Sequence, residues 1–164
     1  MASNIELIIL DGGSPSAYLP AGAAVVALLH GLFGIPVTDE LLASLPAGAN
    51  DDRVHPGWIL KQQVCSLAED LSARRRVLYV ASETFGGRGC QEAVGWNDSQ
   101  LIYGPSGTCD GESDRTDGYR VVHRADSAIN VGLRIMGVRA ADGLDEYGSV
   151  GLDRHRFTSD WLGK

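Results

Sequence analysis

The stretch from Val77 to Tyr103, VLYVASETFGGRGCQEAVGWNDSQLIY, decides the fold. Val77 to Ala81 is rich in the β-branched and aromatic residues that suit a central strand, and it runs into a glycine-rich corner at Gly86-Gly87-Arg88-Gly89. Beyond the corner, Gln91 to Trp96 and Gln100 to Tyr103 flank Asn97-Asp98-Ser99, which has the composition of a tight hairpin turn. Strands joined by short turns pair antiparallel, so an α+β chain is expected rather than a succession of βαβ units.

Upstream, Ile5 to Leu10 (IELIIL) is an apolar run ending at Asp11-Gly12-Gly13, a first strand followed by a turn. Pro20 to Phe33 is expected as a helix, with Pro at its start, Ala, Val and Leu through its turns, and Gly34 before Ile35-Pro36 to stop it. Thr38 is placed to cap a short helix that carries Asp39 and Glu40 in its first turn and ends by Pro46. After a connection from Ala47 to Pro56, Leu60, Val64, Leu67 and Leu71 recur on one stripe and predict a third helix.

Downstream, residues 105–118 hold Gly, Pro, Ser and Thr with four carboxylates opposed only by Arg115, and are expected as an acidic surface loop. Tyr119 to His123 reads as a last strand. Asp126 then caps a helix presenting Ile129, Leu133 and Met136, and the tail from Asp142 forms short helical turns, one capped by Thr158. The 164 residues form one domain, a small, mostly antiparallel sheet with helices packed on one face.

A net charge of −7 with no basic, aromatic-interleaved stripe repels phosphate backbones, so nucleic acid is excluded as a direct partner and a basic protein is favoured. No signal peptide stands at the N-terminus, and the apolar stretch from Ala21 to Phe33 is too short for a bilayer, so no membrane partner is expected. Cys65, Cys90 and Cys109 are odd in number and widely spaced, which predicts neither a disulfide framework nor a zinc knuckle and fits a reducing cytoplasm. The four scattered His form no HxH or HExxH pair, and counting the acidic loop from Asp110 puts Arg115 where an EF-hand needs Gly. No metal and no cofactor is expected.

Two segments are the candidate sites. In Phe85-Gly86-Gly87-Arg88-Gly89-Cys90-Gln91, successive glycines allow backbone N–H groups to converge on an anion beside Arg88, against the plainer reading of a bend in the sheet. The segment matches neither a Walker A loop nor a dinucleotide fingerprint, and no local signature gives Cys90 a base, so an inert thiol is favoured. The second segment, Gly151 to Leu162, gathers Arg154, His155, Arg156 and Trp161 in an otherwise acidic chain, a composition that suits either a protein contact or a docked terminus.

The strings FGGRGCQ (85–91) leading to Trp96 and Gly104-Pro105, and GLDRHR (151–156) with Thr158, Asp160 and Trp161, resemble small uncharacterised proteins of high-GC actinobacteria. The resemblance implies a bacterial, cytosolic setting and brings no activity or catalytic residue with it. With no catalytic geometry in the motifs, the reading is a non-enzymatic protein-binding module of the immunity or inhibitor kind, whose acidic surface meets a basic partner. Two alternatives stand beside it: a small enzyme or ligand-binding protein with a pocket between the glycine corner and the tail, using Arg88, Cys90 and His155, and a structural component of a homo-oligomer.

Overall fold

The computed structural model describes residues 2–13, 15, 19–48, 51–85, 88–110 and 118–163, with Phe85 and Arg88 described by backbone alone. In chain order the elements are β1 (Ser3–Leu10), β2 (Val26–Ala27), β3 (Phe33–Pro36), α1 (Asp39–Ser44), α2 (Gln62–Leu71), β4 (Arg76–Phe85), β5 (Arg88–Asn97), β6 (Gln100–Asp110), β7 (Arg120–Val122), α3 (Ala128–Ile135) and α4 (Glu146–Ser149). Seven strands form one open sheet in the order β2-β3-β1-β4-β5-β6-β7. Every neighbouring pair is antiparallel except β6 and β7. The α+β, mostly antiparallel expectation holds.

The hairpins form where turn chemistry places them. Asp98 and Ser99 both take positive φ, 49° and 60°, between Asn97 and its partner Gln100, which gives a two-residue turn whose twist matches the strands. Phe85 faces Arg88 across the other hairpin. Thr38 Oγ1 accepts the Leu41 N–H at 3.2 Å and starts α1. In α2, Val64 and Leu67 are buried as the stripe predicts, with Ala68 beside them. Leu60, also on the stripe, lies before the helix, which begins at Gln62, and the Asp52 carboxylate accepts the Gln63 N–H of its first turn at 2.9 Å.

The single-face packing is corrected. Ile5, Leu7, Ile9, Leu78 and Val80 face α3, α4 and the C-terminal turns, whereas Ile8, Leu10, Val77, Tyr79 and Ala81 face α1 and α2. Helices therefore cover both faces. Five of the six residues in IELIIL are apolar, which is the pattern of a strand buried on both sides rather than of one with a wet face.

The helix expected over Pro20 to Phe33 does not form; the segment holds β2 and leads into β3. His30 and Gly31 take positive φ, 61° and 70°, turning the chain so that Leu28 N–H donates to Leu32 O at 2.9 Å. Gly34 then lies close under Leu7, where a Cβ would come within 3.0 Å of its Cδ2. Apolar content without helical contrast was satisfied by pairing with β1 instead.

The loop expected over residues 105–118 is corrected in its first part: Pro105 to Asp110 belongs to β6, and residues 111–117 lie outside the described set. Thr108, 1% exposed, accepts the Ala128 N–H through Oγ1 at 2.8 Å, so this half-strand is locked beneath α3. Ser127, rather than Asp126, occupies the N-cap position of α3. Thr158 is no helix cap; its Oγ1 accepts the Glu6 N–H at 2.9 Å and fastens the tail to β1.

Cys90 and Cys109 are direct cross-strand partners on β5 and β6 and are disulfide-bonded, leaving Cys65 as the free thiol. This overturns the reading of three unpaired cysteines. Their separation of 19 residues carries no signature of its own; the hairpin register makes them neighbours. No helix among the described residues is long and apolar enough to cross a membrane.

Candidate functional site

The glycine corner spends its described residues on the fold. Gly89 N–H donates to Asp110 Oδ1 at 2.6 Å, Cys90 is bonded to Cys109, and Gln91 Oε1 accepts the Ile129 N–H at 3.1 Å in the first turn of α3. The anion-nest reading turns on Gly86, Gly87 and the side chain of Arg88, which lie outside the described set.

The tail likewise docks onto the body. The Arg154 guanidinium sits 5.3 Å from the Trp161 ring and donates to Ala27 O at 2.9 Å, while His155 meets the same ring edge-on at 4.6 Å. Arg156 contributes its carbonyl, which accepts the Asn4 N–H at 2.7 Å. Trp161 is 7% exposed. The structure thus joins Arg154, His155 and Trp161 to one another, but not to the described residues Gly89, Cys90 and Gln91 of the corner: Phe157 bridges to Asn4 on one side of β1, and β4 stands on the other side, before the strand that carries Cys90.

A different place has the shape of a site. β7 pairs only with Thr108, Cys109 and Asp110, so β6 loses its outer neighbour at Ser106, and there a cleft of about 670 Å³ opens. Its floor is Tyr103 to Gly107 and its walls are Val54, His55, Trp58, Gly118 and Arg120. Among the described residues, neither the corner nor the tail lines it. A larger groove of about 1110 Å³ runs between the end of α1 and α2, and its rim at Pro15, Leu19 and Gly48 runs into residues outside the described set.

Glu92 builds the cleft from beneath. It is 1% exposed on β5, and its carboxylate accepts N–H bonds from Ile59 at 2.9 Å and Leu60 at 2.9 Å and the Tyr119 hydroxyl at 2.7 Å. A buried carboxylate is tolerable only when its oxygens are satisfied in this way. The bonds pin the connection before α2 over the sheet and so place Trp58, whose ring lies between His55 at 5.5 Å and Tyr119 at 5.6 Å. Gly107 is required below it: a Cβ there would stand 2.5 Å from Trp58 Cζ2.

His55 Nδ1 is 2.8 Å from Pro56 O; a carbonyl only accepts, so this nitrogen carries the proton. Arg120 Nη2 donates to Ser106 Oγ at 3.2 Å, and among the described residues its guanidinium meets no carboxylate. Among the described residues, Ser106 meets Arg120 and the imidazole meets a carbonyl. The cleft presents an aromatic wall, the Arg120 cation and a strand edge. No group of three His, Cys, Asp or Glu converges on a metal position among the described residues.

A second carboxylate shares the row. Glu6 accepts the Tyr79 hydroxyl at 2.7 Å, and burial, reinforced by the nearby Glu92 charge, pushes its pKa up to about 7. Lys61 and the Tyr79 bond pull the other way. Sequence reading passed over Glu6, Trp58, Glu92, Tyr119 and Arg120, and took His55 only as one of four scattered His. The available signal was a carboxylate inside an apolar strand: Glu6 between Ile5 and Leu7, and Glu92 before Ala93 and Val94.

No protein-family model matches the chain, and neither does any curated protein or solved structure.

Proposed function

We propose that this protein is a non-enzymatic protein-binding module of the immunity or inhibitor kind, whose acidic surface meets a basic partner. The observation that supports this most is the outer edge of β6. Among the described residues it has no strand partner from Gln100 to Ser106, and its sequence is uncharged from Ser99 to Cys109. Leu101 and Ile102 are 55% and 42% exposed there. Edge strands are ordinarily guarded by charges, Pro, bulges or brevity. This edge has Pro105 and an irregular register at its cleft end, but from Gln100 to Tyr103 it is open and apolar, a template for another chain. The charge of −7 favours encounter with a cationic protein.

The enzyme alternative loses its proposed nucleophile, since the Cys90 sulfur is committed to Cys109. The homo-oligomer alternative draws on the same open edge and is separated from the leading reading by salt: like-charged copies associate better as salt rises, whereas a basic partner is released. The cytoplasmic setting was expected from the cysteine count and from the resemblance; the disulfide removes the first ground and favours an oxidising compartment instead. Affinity capture on the full chain at low salt, followed by salt titration of each retained protein, tests the function. A retained basic protein whose affinity falls as salt rises supports it; retention of chaperones alone removes it.

A further inference from the structure

We infer that the partner docks through its C-terminal segment, which adds a strand to the open edge of β6 and places its terminal carboxylate against Arg120. The inference rests on the protein-binding reading and names its mode. An added strand has a fixed path, because β7 already occupies the line beside Thr108 to Asp110. A strand laid along Gln100 to Tyr103 therefore has to stop or turn away at the cleft, where Gly104 takes a φ of 77° and Pro105 offers no N–H. Running parallel to β6 and ending there, it brings a chain terminus to the cleft wall formed by Arg120.

The cleft is suited to that end. Arg120 is exposed, and among the described residues its guanidinium donates to Ser106 Oγ and meets no carboxylate. A guanidinium fork with open donors binds a carboxylate in bidentate fashion. The Trp58 ring, held in place by Tyr119 and Gly107, supplies a rigid wall for the last side chain. Along the rest of the edge, main-chain bonds give affinity without demanding one sequence, and Leu101 and Ile102 give apolar contact. The net charge of the body acts on the encounter at long range, while Arg120 acts only at the terminus.

The test uses the full chain on an array of random hexapeptides displayed with free C-terminal carboxylates, beside the same array amidated. Arg120→Ala and Leu101→Lys serve as variants; both positions are exposed, and circular dichroism verifies that each variant folds. The expected result is capture of free-carboxylate sequences, weakened at least tenfold by amidation and by either substitution. Capture of nothing, equal capture of amidated peptides, or an edge taken up by a second copy in sedimentation runs would each overturn the inference. A basic partner that binds the wild type and both variants equally leaves the protein-binding reading standing and removes this one. Captured free-carboxylate peptides with no basic partner keep the docking mode and remove the basic character of the partner.

Discussion

Glu6 and Glu92 stand in one row of the sheet on either side of Ala81, each a direct cross-strand neighbour of it, so both carboxylates share the face covered by α2. Ala81 is too small to separate them, and the like charge adds to burial in raising Glu6. The folded state holds the Glu6 proton up to about pH 7, against the ordinary 4.5. The resulting stability is fully present below the unfolded value and is lost as pH rises through 7, a swing of about 3 kcal/mol. Glu6→Gln keeps an acceptor for Tyr79 and removes the charge. Urea midpoints compared from pH 4.5 to 8.5 are expected to fall for the wild type relative to the variant, and parallel curves would refute the assignment.

Glu92 holds the cleft together. Glu92→Gln leaves one oxygen where two accepted bonds from Ile59, Leu60 and Tyr119, and about 2 kcal/mol of stability is expected to be lost. Hydrogen exchange at the Ile59 and Leu60 amides is expected to accelerate by more than global unfolding explains.

Gly107→Ala is expected to displace the Trp58 ring, since the added methyl meets it at 2.5 Å. Overpacking of this kind costs about 1–3 kcal/mol. A change in near-ultraviolet circular dichroism with an unchanged far-ultraviolet spectrum is the measurement; an unaltered Trp signal would show that the ring does not rest on Gly107.

The disulfide gives a covalent check on the register of β5 and β6. Alkylation of the unfolded, unreduced protein is expected to label Cys65 alone, and mass spectrometry of a digest to find Cys90 joined to Cys109. Replacing both with Ser is expected to cost about 3 kcal/mol for a bridge of 19-residue separation.

The sheet's centre was legible because its signals are local. Turn residues at Asp98-Ser99, alternation through Val94 and Trp96, and the stripe of Leu60, Val64 and Leu67 each act within a few residues. What was misread depends on distant partners. The segment from Pro20 to Phe33 is apolar enough for a helix, and only the pairing of Phe33 to Pro36 with β1 makes its end a strand. Pro105, Ser106 and Thr108 look like loop residues until α3 lies over them. The cleft joins residues from three separate stretches, 54–58, 103–107 and 118–120, and its organiser, Glu92, is a single carboxylate with no motif around it. In the two segments singled out by composition, described residues also serve as joints of the fold: Gln91 on β5 accepts an N–H from the first turn of α3, and Arg154 lies over Trp161.

The central claim is that the open edge of β6 receives the partner. Hydrogen–deuterium exchange of the full chain, alone and with a basic protein captured at low salt, tests it most directly. Protection concentrated at residues 100–107, with Arg120 beside it, is the predicted footprint. Protection confined to α1 and α2, or to the tail around Trp161, with the β6 amides exchanging as in the free chain, would contradict it.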